Sequence, residues 1–366
     1  MLTVYRDQVK EGCILAADVM AVTPQPLIPQ HTVLTEQHLE VLKAFLVSQV
    51  TVEEMMIDGS TFQPETNISP PEDETPEKVE LNPNASFKKD YLTAVQTYKE
   101  WFKKWQEGAN VNITAVRNTM LPLIEKVLER PQKALHLYHY STRDEYIFHH
   151  AVATGLLASV LAKKMNREWK ECLQVGIAGA LCDCGMSQIP FQIFVKREAM
   201  TKTEYEEMKN HPYHSYRMVK KSGQVGNEVL VGILQHHERE DGSGYPLAVN
   251  HQKIHMYSRI LAVADVFHAI SSERRHRHKQ SPYKALDILA RDEFGKFYPP
   301  AVQALTDYLL TYSIGTSVLL TNGEKAEVMY IDPKDPTRPT VQLEDSKLIT
   351  QLTGKDNVYI AGIFAD

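Results

Sequence analysis

Apolar positions change rhythm three times along this chain of 366 residues. Up to about residue 58 they come in short runs with one helical interlude. PLIPQHTVLTEQHLEVLKAFLVSQVTVEE predicts strand, capped helix, strand, and Thr35 with His38 and Leu39 begins an amphipathic stripe through Leu42, Phe45 and Leu46. Between residues 59 and 86 the rhythm stops. Pro64, Pro70, Pro71, Pro76 and Pro83 alternate with acidic residues, a composition that cannot build a core and predicts a linker. From residue 87 to about 310 the period is helical. Tyr91, Val95, Tyr98 and Phe102 share one face of a helix over 87–106, and further helices are predicted near 112–130, 144–165, 168–183, 201–210, 212–222, 226–237 and 257–272. Thr201 and Glu204 have the spacing of a capping box ahead of Met208. From residue 311 to 366 the period returns to two. TSVLLTNGEKAEVMYI predicts strand, Asn-Gly turn, strand, and PTVQL and NVYIAGIF offer two more strands. The expected architecture is mainly α: a helical bundle over 87–310, a small α+β module at 1–58 before the linker, and a small β module at 311–366.

Composition narrows the classes. The chain is 43% apolar and 23% charged, an ordinary soluble mixture, with a net charge of −6. That charge argues against a nucleic-acid polymer as partner, though not against a small anionic ligand held in a local cationic site. Four cysteines in a chain of this length do not suggest a disulfide framework, so a reducing cytoplasm is expected. The start, MLTVYRDQVK, lacks a leader's apolar run. The longest apolar stretch, Ala151 to Ala162, falls short of the roughly 20 residues a bilayer requires, so no membrane span is expected. The apolar face of helix 87–106 fits a homodimer contact or packing within its own domain.

The chemistry sits in polar residues embedded in apolar helices. His150, Asp183, His211, His236, His237 and Asp265 each stand at or inside a strongly apolar segment. A buried imidazole needs a partner for each ring nitrogen, and several such groups aimed at one core are costly unless they satisfy each other or bind a cation. Imidazole and carboxylate donors suit iron, manganese, zinc or similar divalent ions. Directly after the paired histidines comes a turn-rich loop, Asp241 to Pro246. Gly242 and Gly244 permit tight backbone geometry there, and Tyr245 offers a flat face for a purine. The basic run ERRHRHK, Glu273 to Lys279, reads either as a solvated helix end or as a phosphate clamp, placed two to three turns beyond Asp265 on the same helix.

MTKTEYEEMKNHP, HHEREDGSGYP at 236–246 and RILAVAD at 259–265 resemble the motifs of HD-GYP proteins, a branch of the HD phosphohydrolase superfamily, over about residues 144–300. The resemblance implies an all-helical domain that binds two, sometimes three, metal ions and hydrolyses cyclic di-GMP or a related cyclic dinucleotide. It assigns His150, Asp183, His211, His236, His237 and Asp265 as metal ligands, with Asp183 bridging. It turns Arg274 and Arg277 toward the phosphates. Asp241, Gly242, Gly244, Tyr245 and Pro246 become a loop that borders the pocket and can dock diguanylate cyclase domains. Four positions depart from the pattern. Cys182 stands where the signature dyad has His, Met186 replaces a lysine, Tyr146 replaces the acid that serves a third metal, and His268 replaces an Asp. One ion then keeps Asp183, His211, His236 and His237. The other keeps His150, Asp183 and Asp265 and faces Cys182, which is either a thiolate ligand or a small core thiol; His268 could supply the missing imidazole. Loss of one preorganised cation such as the lysine typically costs ~3 kcal/mol, or ~100-fold in rate. The expectation is a cyclic di-GMP phosphodiesterase with two divalent ions, iron or manganese, one site weak or empty, and reduced activity; the alternative is a catalytically silent cyclic di-GMP receptor.

Overall fold

The structure is a computed structural model; it describes residues 1–20, 26–44, 47, 49–64, 83–134, 137–190, 192–193, 200–274, 278–292, 294–310, 314–332, 335–353 and 358–363. Most of the expected linker, 65–82, and Arg277 therefore lie outside the described residues.

The first module is two strand pairs around one helix. In chain order these are β1 (Leu2–Tyr5), β2 (Val19–Met20), β3 (Pro26–Ile28), α1 (Glu36–Ala44) and β4 (Gln49–Val52). β1 pairs antiparallel with β4 and β2 with β3. At the start of α1 the Thr35 N–H donates to His38 Nδ1 at 3.2 Å. Leu15, Leu34, Leu42 and Val52 close a small core, joined by Phe62 from the Pro-rich stretch. Ile14 and Val33 face the other way and belong to the core of the helical bundle.

The bundle begins with α2 (Pro83–Gln106) and α3 (Ile113–Glu129), the latter capped by Asn112, which accepts from the Ala115 N–H at 3.0 Å. The apolar face of α2 (Phe87, Tyr91, Val95, Tyr98 and Phe102) is buried in the chain's own core, so it is not available for the dimer contact considered above. At the centre, α4 (Tyr146–Lys164) crosses α5 (Trp169–Leu181) at close range. A Cβ added at Gly155 would stand 2.6 Å from the Gly176 carbonyl oxygen, and one at Gly176 would stand 2.1 Å from Ser159 Oγ, so only glycine permits this crossing. The bundle continues with α6 (Lys202–Met208), α7 (His211–Lys221), α8 (Asn227–Leu234), α9 (Met256–Ser271), α10 (Pro282–Asp287) and α11 (Pro299–Leu309). The Thr201–Glu204 capping box closes as predicted, at 2.7 and 3.3 Å.

Three helices stop earlier than their apolar pattern suggests. α5 ends at Leu181 and α8 at Leu234, so Asp183 and both adjacent histidines leave the helix for turns. α9 ends at Ser271 and the backbone is extended at Ser272, so Arg274 is not on a continuation of that helix, contrary to the sequence reading. The end of α8 has a clear cause. His236 Nδ1 bonds the Ile233 carbonyl at 2.7 Å, and Gln235 clamps the later segment through the Lys253 carbonyl (3.1 Å) and the His255 N–H (2.9 Å).

The tail forms β5 (Ser317–Leu320), β6 (Lys325–Tyr330), β7 (Thr340–Leu343), β8 (Ile349–Gln351) and β9 (Ile360–Ile363) in one antiparallel sheet ordered β8-β7-β6-β5-β9. The Asn322-Gly323 turn joins β5 to β6, with Gly323 at φ 87°. β8 goes beyond the strands read from the sequence, because its residues are largely exposed and carry no apolar alternation. Asp287 of α10 ties this sheet to the bundle. It accepts from Arg338 Nη2 at 2.6 Å and Nε at 3.1 Å, and from Thr337 Oγ1 at 3.3 Å. The mainly α bundle with small flanking modules is thus the observed fold class. Among the described residues no helix is long and apolar enough to cross a membrane.

Candidate metal centre

The turn after α5 delivers Asp183, the first residue of α7 is His211, the turn after α8 carries His236 and His237, α4 carries His150 and α9 carries Asp265. All six meet at one place. Asp183, His211, His236 and His237 form one group able to hold an ion, and His150, Asp183 and Asp265 form a second. Asp183 belongs to both, with Oδ1 turned to His211 Nε2 (3.2 Å) and His236 Nε2 (3.5 Å), and Oδ2 turned to His150 Nε2 (3.5 Å).

Proton bookkeeping shows what the first group lacks. His211 Nδ1 bonds the Met208 carbonyl and His236 Nδ1 the Ile233 carbonyl, each at 2.7 Å. A carbonyl only accepts, so both Nδ1 atoms carry protons and, in the neutral rings, both Nε2 atoms are bare lone pairs. These lone pairs face each other at 3.3 Å, and Asp183 Oδ1 beside them is buried without a hydrogen-bond donor. Three acceptors converging in a buried space fit a divalent cation, which needs such lone pairs and neutralises the carboxylate. The ionisation preferences agree. Burial works against charge on Asp183, but His211, His236 and His150 hold its carboxyl well below the usual range. Burial also opposes charging His236, yet the nearby Asp183 carboxylate raises it. Burial, and His236 and His211 beside it, push His237 well below the usual histidine range.

The second group is built on a row of stacked rings. His150 Nε2 lies 2.7 Å from Asp265 Oδ1, and its Nδ1 lies 2.9 Å from His268 Nδ1. Tyr146 stacks on the His150 ring (5.0 Å between centroids, 22°), and the Arg274 guanidinium covers Tyr146 at 4.6 Å. Where the resemblance expects an acid to serve a third ion, an aromatic ring and a fixed organic cation stand instead. Burial first, then His150, His149 and Arg274, push His268 well below the usual histidine range, so it is neutral.

The loop from Asp241 to Pro246 closes over His237. Asp241 is spent on the loop itself, accepting from the Ser243 N–H (3.0 Å) and Oγ (2.6 Å). Gly242 has φ 77°, in the left-handed region. Gly244 lies so close to the preceding strand of backbone that a Cβ would sit 2.5 Å from the His237 carbonyl oxygen. The Tyr245 ring, followed by Pro246, stacks on His237 at 4.7 Å and 30°. Glu238, which the sequence reading does not single out, secures the return of the loop. It is buried and accepts from the Leu247 N–H (2.7 Å) and the Val249 N–H (3.1 Å). An acid placed directly after two buried histidines is the signal that could have found it.

Cys182 and His268 are the two positions that the sequence left with alternative roles. Among the described residues Cys182 belongs to neither ion-holding group; its Sγ–H donates to the Gly179 carbonyl at 3.1 Å, and burial pushes the thiol far above its ordinary value, which fits a core thiol. His268 also joins neither group; it stands behind His150 rather than beside Asp265's ion position. Met186 packs against the bundle core.

Comparison with known proteins accords with this geometry. The HD-domain family profile matches residues 125–301. The chain is 28% identical over 242 residues to a cyclic di-GMP phosphodiesterase of Pseudomonas aeruginosa, covering 66% of this chain and 58% of that protein. It is 34% identical over 152 residues to the cyclic di-GMP phosphodiesterase response regulator RpfG of Xanthomonas campestris, covering 41% and 40%. Its fold matches that of an HDG"Y"P protein from Bdellovibrio bacteriovorus with a TM-score of 0.51 at 14% identity, over 84% of this chain and 99% of the other. Residues 125–301 of the chain thus match an HD domain. The chain spans about half the length of the curated relatives it matches, 58% and 40%.

Proposed function

We propose that this HD-GYP chain is a metal-dependent phosphodiesterase that opens a cyclic dinucleotide, cyclic di-GMP or a close relative. The observation that carries the reading is the convergence of the His211 and His236 Nε2 lone pairs on the donorless Asp183 Oδ1. One ion would be held by Asp183, His211, His236 and His237, and a second by His150, Asp183 and Asp265. Iron or manganese suits this mixture of imidazole and carboxylate. When bound, such ions supply Lewis acidity and neutralise phosphate charge.

The chain's own residues do the rest. Asp183 offers one oxygen to each side and fixes the spacing of the two positions. Nδ1 contacts to backbone carbonyls lock the His211 and His236 rings with Nε2 inward. Arg274, 4.6 Å over the Tyr146 ring, would present its guanidinium to phosphate oxygens, and the sequence resemblance gives Arg277 the same task. Tyr245 gives a base a ring to stack on. The loop 241–246 also remains the proposed docking face for a diguanylate cyclase domain.

A second reading rests on Cys182 and Met186. The three-donor position has gained no ligand from the thiol, and the phosphate has lost a lysine. These two residues favour a receptor that binds the nucleotide without turning it over. Metal analysis with a cyclic di-GMP binding and turnover assay separates the readings. Two ions with linear product supports the enzyme; one ion with tight binding and no product supports the receptor; no ion and no binding defeats both.

A further inference from the structure

We propose that His268 is a positioning residue for the second ion position: it accepts the His150 Nδ1 proton and so turns the bare His150 Nε2 toward Asp183 and Asp265. This rests on the metal-centre reading above. The two Nδ1 atoms lie 2.9 Å apart, a hydrogen-bond distance that needs one proton between them. Each neutral ring carries a single proton, so two arrangements exist. In one, His268 donates, and His150 keeps its own proton on Nε2, pointed at Asp265 Oδ1 2.7 Å away. In the other, His150 donates from Nδ1 and His268 carries its own proton on Nε2, with Ser272 Oγ 3.2 Å from Nε2 and 3.3 Å from Nδ1. Only the second leaves a lone pair on His150 Nε2 for an ion.

The surroundings provide for that second arrangement. Ser272 stands at the end of α9 one turn beyond His268, with a polar hydroxyl beside both of its ring nitrogens. Tyr146 stacked on the opposite ring holds His150 against rotation. In passing from the first arrangement to the second the shared proton moves from His268 Nδ1 to His150 Nδ1, the His150 Nε2 proton leaves and a proton arrives at His268 Nε2, so the two end states carry the same number of protons. A carboxylate at 268 could only accept. It would fix the ligand tautomer more firmly and raise the basicity of His150, since an outer partner of this kind tunes metal affinity about 10–100-fold. A neutral imidazole should give the weaker of two functional supports, and an apolar side chain none.

The experiment uses the full chain dialysed against graded Mn²⁺, with ions per chain read by elemental analysis and folding checked by circular dichroism. His268→Leu keeps the volume and removes the acceptor. It should keep the ion of the Asp183, His211, His236 and His237 group and lose affinity at the other position by about 10–100-fold. His268→Asp should bind the second ion at least as tightly as the unaltered chain. Nitrogen-15 shifts of the His150 ring in the Mn-free Zn²⁺-loaded protein supply an independent readout, with protonated Nδ1 expected. The proposal is overturned if His268→Leu binds both ions like the unaltered chain, if loaded His150 is protonated at Nε2, or if the unaltered chain binds a single ion. A chain that takes up no Mn²⁺ at all overturns the metal-centre reading instead. Should His268→Leu fail to fold, the His268→Asp titration and the ring shifts still decide.

Discussion

Asp183 carries more of the centre than any other side chain, because it alone faces both groups of imidazoles. Asp183→Asn keeps the shape but turns one ligand oxygen into an amide and removes the charge. The expected outcome is loss of both ions by elemental analysis and a fall in turnover of at least about 100-fold, the scale for one preorganised electrostatic partner. Reversing the departures at two other residues should act in the opposite direction. Cys182→His with Met186→Lys supplies an imidazole and a cation that this chain lacks, and should raise cyclic di-GMP turnover by about 100-fold in a steady-state assay. A silent double variant would mean that those positions are not what limits the rate. The residue scale was also the most legible in the sequence. All six polar intruders into apolar helices meet in space, since a buried imidazole or carboxylate has few reasons to be there other than a shared centre. What the sequence could not tell was which way a small thiol or a neutral imidazole faces. Cys182 and His268 lie within a turn of true candidates, and only the backbone path decides that one bonds Gly179 and the other backs His150.

At the scale of elements, helix existence was readable and helix ends were not. Apolar periodicity ran through His236 and His237, yet α8 stops at Leu234 because side chains, not periodicity, take its last carbonyls. The same turn chemistry sets the loop. Gly244→Ala forces a methyl to within 2.5 Å of backbone on three sides and should lift Tyr245 off His237. A displacement of about 1 Å near bound substrate can cost about 100-fold. Nucleotide affinity by calorimetry should therefore fall sharply while ion content stays at the wild-type value. A variant that loses ions and nucleotide together would show that the loop braces the ligands, not the substrate.

Across the whole molecule, Asp287 joins bundle and terminal sheet. Burial alone would raise its carboxyl, but Arg338 and Arg291 hold it below the ordinary 3.8. A folded-state value below the unfolded one means that the stabilisation is complete above about pH 4 and is lost as pH falls through the depressed value. The melting-temperature gap between wild type and Asp287→Asn should be wide at pH 7, narrow below pH 4 and close at lower pH. A gap that is unchanged on acidification would assign the effect to packing instead. The β module itself was foreshadowed by its Asn-Gly turn, whereas its salt-bridged seam was not, because partners 51 residues apart leave no local pattern.

Ile14 and Val33 are rooted in the same oily interior as Phe87 and Tyr91, and Lys88 reaches back to Glu53 at 3.1 Å in a nearly dry ion pair. The opening module is therefore no detachable antenna. Cutting the chain ahead of α2 would strip the roof from the bundle and strand a lysine, so a minimal fragment starting there should come out sticky and easily digested by protease.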